Sequence, residues 1–142
     1  MQESIIEIFK FIGISAPLFL IISMIALYGV KKIADSEKRT IKEYLKKELI
    51  EEKNTALALY MGATIFSVGV IISHTMALGL SGMVLFSIIG LGIQFGLVKL
   101  FEVMFGFKSF LSYISDVQNV QIATLYSFLV ISSSYIIGST ML

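Results

Sequence analysis

The sequence has no cysteine and only one histidine, and these two shortages exclude most metal chemistry. Among its 142 residues His74 is the sole imidazole, and no thiol is present. Disulfides and thiolate metal sites are therefore excluded, and one histidine alone cannot build a histidine-ligated metal site. No Ser/His/Asp set, Walker loop or dinucleotide fingerprint can be assembled either. We expect a protein that is not an enzyme and that uses no cofactor and no metal.

Charge is also scarce, and this scarcity defines the class of protein. Only 15% of the residues are charged, 56% are hydrophobic, and the mean hydropathy is +0.89. This balance is too apolar for a soluble domain of this size. A membrane span needs about 20 largely apolar residues, and four stretches provide them. We predict an all-α membrane protein with one integral membrane domain over residues 1–142 and four transmembrane helices, at about 11–30, 55–78, 83–105 and 120–141.

Acidic residues are missing from the depth of every predicted span, whereas basic residues are concentrated beside the connections. Proton-coupled transporters need a carboxylate within the membrane, so its absence argues against that class. Ten of the eleven basic residues lie in or beside the connections 31–53 and 106–118, and only Lys10 lies on the other side. Short loops rich in Lys and Arg stay in the cytoplasm. We therefore predict that both loops are cytoplasmic and that both termini lie outside.

The second half of the chain repeats the first at an offset of 119 − 54 = 65 residues. In gapless register, residues 54–77 match residues 119–142 at seven identical positions: Asn54/Asn119, Ala58/Ala123, Ser67/Ser132, Ile71/Ile136, Ile72/Ile137, Thr75/Thr140 and Met76/Met141. A duplication explains this agreement better than chance does. Because both loops face the cytoplasm, the two hairpins have the same orientation and form a parallel repeat. We predict two tandem helical hairpins, repeat 1 at about 9–78 and repeat 2 at about 83–142.

The start of each duplicated segment resembles a known family. The pattern Asn-x-Ala-x-Ala, opening a glycine-containing span and repeated once in a four-span chain, is similar to the small bacterial inner-membrane family called domain of unknown function 350. The first copy fits this pattern with Asn54, Ala56, Ala58 and Gly62. The second copy keeps Asn119 and Ala123 and departs from the pattern at Gln121 and Ser127. The resemblance covers nearly the whole chain. It implies a multi-pass protein of the bacterial inner (plasma) membrane and brings no assigned activity.

The connections between spans carry helix-start signals. Residues 40–43, Thr-Ile-Lys-Glu, have the form of a capping box, and Ile41, Leu45 and Leu49 then recur at every fourth residue. This pattern predicts a short amphipathic helix on the inner leaflet. It is either a solvated connector or a docking site for a cytosolic partner or anionic lipid. In the second connection, residues 115–118, Ser-Asp-Val-Gln, predict another capping box.

Small residues form matching stripes on the second and fourth predicted spans. The stripes are Ala58, Gly62, Gly69 and Ser73, then Ala123, Ser127, Ser134 and Gly138, and the third span adds Gly92 and Gly96. Within a membrane, small residues let helix backbones approach and gain dispersion contacts. We predict helix packing, inside the bundle or against a second protomer, in preference to a ligand groove.

Four polar side chains are the remaining site candidates. Asn54 and Asn119 stand where a loop becomes a span, so each either caps its helix or meets the other as a polar pair at the inner mouth. Gln94, an intramembrane amide, either bonds across helices or lines a polar path. His74, near the outer end of the second span, is either a wet surface group or a ligand or proton relay.

Two classes of function fit these features, and nothing indicates nucleic-acid binding. The first is a homo-oligomeric structural or interaction module in the lipid bilayer. Its role would belong to envelope stress or membrane maintenance. It would present its cytosolic loops to a cytosolic or membrane protein partner. The second is a small oligomeric ion channel or transporter with Gln94 and the two asparagines along its path. A continuous polar route would favour the second hypothesis, and a dry, packed core would favour the first.

Overall fold

The computed structural model describes the backbone of residues 2–140 and the side chains of residues 12–140. Over this part of the chain the structure is helical and contains no strand. The elements are α1 (Gln2–Ala26), α2 (Tyr28–Ser36), α3 (Ile41–Leu45), a π-helix (Lys46–Glu51), α4 (Thr55–Thr75), a 3₁₀ turn (Met76–Leu78), α5 (Gly79–Phe105), α6 (Phe110–Val117) and α7 (Val120–Ser139). The predicted all-α class is confirmed for the described residues.

Within the described residues, two helical stretches are long and apolar enough to cross a membrane. They are Thr55–Phe105, which contains α4 and α5, and Val120–Ser139, which is α7. The pair α1 and α2 is a third if the two helices count as one bent span. The predicted last span extends to Met141, which lies outside the described residues.

The first of these stretches folds back on itself. Gly79, at the start of α5, has a φ of +72°, in the left-handed region that glycine adopts readily. Beyond this turn, Gly90 lies against Ile71 of α4, and Gln94 bonds Ser67. Residue numbers rise along α5 as they fall along α4. The two helices are therefore an antiparallel pair.

The first predicted span is broken near its end. The sequence predicts a continuous helix to about residue 30. In the structure α1 ends at Ala26, and the axes of α1 and α2 meet at a bend of 44°. The bend directs Val30 and Ala34 into the core, where their side chains are 1% and 0% exposed. Burial of apolar surface favours this arrangement over a straight continuation.

The core consists of two clusters joined by α4, which packs against α1, α5 and α7. The loop-side cluster lies beside the connections and is rich in aromatic rings; its largest members are Tyr44, Tyr60, Phe101, Phe110 and Tyr126. The far cluster is aliphatic and consists of Ile22, Ala26, Val68, Ile72 and Met83. The aromatic rings therefore fill the end of the bundle where the connections meet it.

The connections are folded against this core. Glu43 N donates to Thr40 Oγ1 at 3.3 Å and Thr40 N donates to Glu43 Oε2 at 3.0 Å, which confirms the first capping box. The capping box predicted at residues 115–118 is wrong. Ser109 is the N-cap of α6, and Ser115 lies inside that helix, where its side chain bonds Tyr44 instead.

Candidate functional site

Asn54 begins α4 and is the centre of a buried polar cluster. Its Oδ1 accepts a hydrogen bond from Leu57 N at 3.0 Å, which caps the first turn. Its Nδ2 donates to Glu48 Oε2 at 2.8 Å and to the carbonyl oxygen of Ser115 at 3.0 Å. The side chain is 1% exposed. One amide therefore starts α4 and ties the first connection to the second.

Tyr44 and Glu48 complete this cluster, which we call the first joint together with Asn54 and Ser115. Tyr44 OH and Ser115 Oγ share a hydrogen bond of 2.6 Å. Tyr44 and Glu48 are four residues apart on consecutive helical turns, so both reach the core side and are 0% and 3% exposed. A buried carboxylate is costly unless it is paired or hydrogen-bonded. Glu48 has Asn54 as a donor, and Lys47 Nζ lies 3.8 Å from its other oxygen.

Burial of the phenol raises the pKa of Tyr44 to about 12. The hydrogen bond with Ser115 opposes this shift, and the nearby carboxylates of Glu48, Glu37 and Asp116 reinforce it. Tyr44 is therefore protonated throughout the physiological pH range. The bond between the two connections does not depend on a charge on the phenol.

The second joint, formed by Tyr113 and Asn119, repeats these bonds at the start of α7. Asn119 Oδ1 accepts from Ile122 N at 3.0 Å, and Asn119 Nδ2 donates to Tyr113 OH at 3.4 Å. These partners lie 65 positions after Glu48 and Leu57, since 48 + 65 = 113 and 57 + 65 = 122, and 65 is the offset of the predicted repeat. The two asparagines thus make equivalent bonds to separate partners, and no hydrogen bond between them is found in the described part of the chain.

The residue before each asparagine has the same rare backbone conformation. Lys53 and Gln118, which are 65 positions apart, both have a φ of +53°. A residue with a Cβ pays roughly 1–2 kcal/mol to adopt this left-handed conformation. The shared turn brings each asparagine side chain back onto the first turn of its helix. The two joints therefore agree in backbone, cap and direction of the amide.

Gln94 lies at one end of a hydrogen-bonded chain across three helices. Its Nε2 donates to Ser67 Oγ at 2.7 Å, and Ser67 shares a hydrogen bond with Ser134. Ser134 Oγ also bonds Val130 O at 2.7 Å. The side chains of Gln94, Ser67 and Ser134 are 5%, 0% and 2% exposed. We call these three residues the polar ladder; it joins α5, α4 and α7 and provides the buried amide with a partner.

Packed aromatic rings separate the polar ladder from the first joint. The ring centres of Tyr60 and Tyr126 are 5.1 Å apart, and those of Phe110 and Tyr126 are also 5.1 Å apart. Phe101 lies 5.0 Å from Phe110. Along α4, Tyr60 lies between Asn54 of the first joint and Ser67 of the polar ladder. Stacked and tilted rings at these distances are in van der Waals contact, so this part of the interior is closed.

The small-residue stripe of α7 is buried against α4. Its members are Ala123, Ser127, Ser134 and Gly138, and all four are buried. Ser127 Oγ donates to Leu59 O at 3.3 Å. A Cβ added to Gly138 would lie 2.7 Å from Cγ of His74, so only glycine fits there without a shift. This stripe permits close packing of α7 on α4.

The stripe of α4 is not packed on a helix in this way in the described part of the chain, although Phe19 of α1 would lie 3.5 Å from a Cβ added to Gly69. Ala58, Gly62 and Ser73 are exposed, Gly69 is partly exposed, and a Cβ added to Gly62 would meet nothing within 4 Å. The two stripes therefore do not face each other. Gly92 and Gly96 on α5 are likewise exposed and open, so the predicted packing of this pair inside the bundle is not found among the described residues.

His74 is a partly buried residue near the end of α4. Its Nδ1 lies 2.9 Å from Val70 O, and its ring meets the ring of Tyr135 edge-on with centres 5.9 Å apart. The histidine therefore packs on α7. In the part of the chain with described side chains, no group of three His, Cys, Asp or Glu residues is placed to hold a metal ion.

Three members of the first joint had no recognisable signal in the sequence. Tyr44 and Glu48 lie between the residues of the apolar pattern, Ile41, Leu45 and Leu49. The π-helix adds a residue to its turn and alters which positions face inward. The sequence predicts a helix start at Ser115, whereas this residue lies inside α6. Its distance of 61 residues from Asn54 in sequence left no local indication of their contact.

The fold and the site together define an all-helical chain with stretches apolar and long enough to cross a membrane, and with buried polar groups at its helix starts. A family model described as Domain of Unknown Function (DUF350) matches residues 2–141, essentially the whole chain. The chain belongs to this family, as the paired Asn pattern indicated. No match was found among curated proteins or among solved structures.

Proposed function

We propose that the chain is a four-span protein of the bacterial inner membrane that acts as a non-enzymatic structural or interaction module. The spans are α1, α4, α5 and α7, with connections 31–53 and 106–118 in the cytosol and both termini outside. The antiparallel pairing of α4 with α5 supports a separate crossing by each helix. The equivalent joints at Asn54 and Asn119 support a parallel repeat, because each starts a helix from the loop side.

The observation that carries this proposal is the fixed shape of the first connection. Tyr44 and Glu48 hold α3 and the π-helix against the core, so their outer surface has a defined form. That surface exposes Lys42, Lys46 and Ile50, the last being 68% exposed. Glu43 and Glu51 are exposed on the same surface, and Glu51 pairs with Lys46 at 3.5 Å. Charges of both signs around an exposed aliphatic side chain are suited to a protein partner with a complementary charged rim.

The alternative, an ion channel or transporter, has less support in the contacts of the chain. Gln94 is 5% exposed and is bonded to Ser67. The ring cluster described above closes the interior between Gln94 and the first joint. A conducting path needs polar groups that border water along its length. The packed interior therefore favours an interaction module.

Flux and partner capture distinguish the two functions. Purified protein in liposomes should give no K⁺ or proton flux above that of empty liposomes. A photoreactive amino acid in place of Ile50 should form an adduct with a cytosolic protein in cells, and Lys42→Glu with Lys46→Glu should abolish it. The same amino acid in place of Leu85, which is 55% exposed on α5, is the matched control. Reproducible flux that Gln94→Leu removes would favour the channel instead.

The orientation can be tested separately because the chain has no cysteine of its own. Cysteines at Ser4 and Leu142 should react with an impermeant reagent added outside intact cells, and one at Lys46 should not. The expected pattern follows from the retention of basic loops in the cytoplasm. Labelling of the Lys46 position from outside would reverse the orientation and move the proposed partner surface to the other side.

A further inference from the structure

One face of α4 is open as a groove along nearly the whole helix. Cavities of 390, 640 and 270 Å³ follow one another along this face. Adjacent cavities share lining residues, first Gly62 and then Gly69. Phe19 of α1 lines one side of the groove, and Ile131 and Tyr135 of α7 line the other. The floor of this α4 groove is the stripe Ala58, Gly62, Gly69 and Ser73.

The equivalent stripe on α7 indicates which surface such a stripe accepts. Its contacts on α4 lie on the face that is one residue further along, since Leu59 follows Ala58 and His74 follows Ser73. One residue of an α-helix corresponds to a rotation of about 100°. α4 therefore carries a stripe and, about a quarter of a turn away, a receiving face that the stripe of α7 occupies.

The receiving face of α7 is mostly open in the described part of the chain, although the ring of Tyr135 meets the ring of His74 edge-on. Adding 65 to Leu59, Ala63, Val70 and His74 gives Thr124, Phe128, Tyr135 and Ser139. Phe128 is 66% exposed and Tyr135 is 49% exposed, and Thr124 and Ser139 are also accessible. Among the described residues, the stripe of α4 therefore packs on no receiving face, and the receiving face of α7 is covered by no stripe.

We propose that a second copy of the chain fills the α4 groove with the receiving face of its α7. The same contact is made in return, so a two-fold dimer closes on itself. Its centre is a ring of α4 and α7 from both copies, in which each stripe packs on the next helix. A rotation of about 100° between stripe and receiving face is close to the right angle of a four-membered ring. Lipid offers helices no hydrophobic drive to associate, whereas small residues permit dispersion contacts between backbones.

The repeat offset predicts which residues meet between copies. The contact of Gly138 with His74 becomes Ser73 with Ser139 of the second copy, since 138 − 65 = 73 and 74 + 65 = 139. The bond of Ser134 with Ser67 becomes Gly69 with Ser132, since 134 − 65 = 69 and 67 + 65 = 132. This assembly rests on the proposed membrane module with a parallel repeat, and it adds the partner and the register.

Disulfide cross-linking tests the register directly. Two differently tagged chains, one with Ser73→Cys and the other with Ser139→Cys, are produced together and oxidised in native membranes. A disulfide-linked band with both tags is expected. It should be absent when Leu85→Cys replaces Ser73→Cys, because Leu85 lies on the exposed face of α5. Chains with Ser73→Cys alone should not link to each other, because the two copies of α4 are diagonal in the ring.

Variants of the groove supply the second measurement. Gly62→Leu should abolish the mixed cross-link and leave a monomer in detergent, whereas Gly96→Leu, also at an exposed open position, should change neither. If Gly62→Leu does not fold, Thr124→Trp tests the opposite side of the same contact. Equal cross-linking of the Leu85 control, a Ser73–Ser73 link, or a folded monomer with lipid retained in the groove would overturn the dimer. None of these results bears on the flux and photo-cross-linking tests of the proposed function.

Discussion

The first and second joints share one backbone plan and differ in the group that accepts from the asparagine. Asn54 and Asn119 both follow a residue with a φ of +53°, and each receives its cap bond at 3.0 Å. At the first joint the amide donates to a buried carboxylate at 2.8 Å, and at the second to a half-buried phenol at 3.4 Å. The turn and the cap suffice to start a helix. The acceptor decides how firmly the preceding connection is held.

The difference extends to what each connection does. In the first, Tyr44 and Glu48 enter the core, and Ser115 from the other connection joins them. In the second, Tyr113 stacks on Phe107 with ring centres 3.9 Å apart and stays partly exposed. Polar networks with a charged member in a region of low dielectric are costly to break once formed. We therefore expect the first joint to be the more sensitive of the two.

The largest effect is expected from removal of the asparagines themselves. Asn119→Ala should destabilise the fold by about 1 kcal/mol, the usual value of an N-cap. Asn54→Ala should cost about 3 kcal/mol, since it also leaves the buried carboxylate of Glu48 and the carbonyl of Ser115 without their donor. Denaturant titration of both variants in the same detergent measures the difference. Equal losses would mean that the bonds of Asn54 to Glu48 and Ser115 add nothing to the stability that its cap provides.

The acceptors give the next largest contrast. Glu48→Leu should cost about 2 kcal/mol, because the amide of Asn54 then has an unmet donor in a buried site. Tyr113→Phe should cost less than about 1 kcal/mol, because its bond is long and water can replace it. The same titration compares them. A neutral Glu48→Leu, with Tyr113→Phe the more harmful, would reverse the ranking of the joints.

The sequence was informative where the physical signal is local. Composition and short motifs predict the all-helical class, the family and the capping box at Thr40. The structure confirms the class and the capping box over the described residues, and the matching family model confirms the family. The position of Ser115 depends on contacts with residues 71 and 61 positions away, and that of Glu48 depends on a π-helix. Neither feature has a local sequence pattern. The bend after Ala26 is decided by burial of α2, which again is a tertiary effect.

A smaller and equal effect is expected from the shared turn. Lys53→Gly and Gln118→Gly should each stabilise the protein by about 1 kcal/mol, because glycine adopts a φ of +53° without the steric cost that a Cβ brings. The added flexibility of the unfolded chain reduces the gain. Lys53→Ala and Gln118→Ala are the controls and should give no gain. Stabilisation at only one position would show that the two turns are not equivalent.

The smallest effect concerns Tyr44, and it depends on pH. At neutral pH, Tyr44→Phe should cost only about 0.5 kcal/mol for the lost bond, because Ser115 lies inside α6 and its hydroxyl can turn to a backbone carbonyl of the preceding turn. The pKa of Tyr44 is raised from 10.0 to about 12, so between these values the unfolded chain releases a proton that the folded chain retains. The stability that Tyr44 contributes is therefore complete below pH 10 and is lost as the pH rises, by up to about 1.4 kcal/mol per pH unit. Phenylalanine has no such loss.

Titrations of both proteins at pH 8 and pH 11 should show the variant as the less stable at the lower pH and the more stable at the higher. A gap of constant sign and size would place the phenol in contact with water, and would remove the main reason for treating the first joint as the more tightly closed.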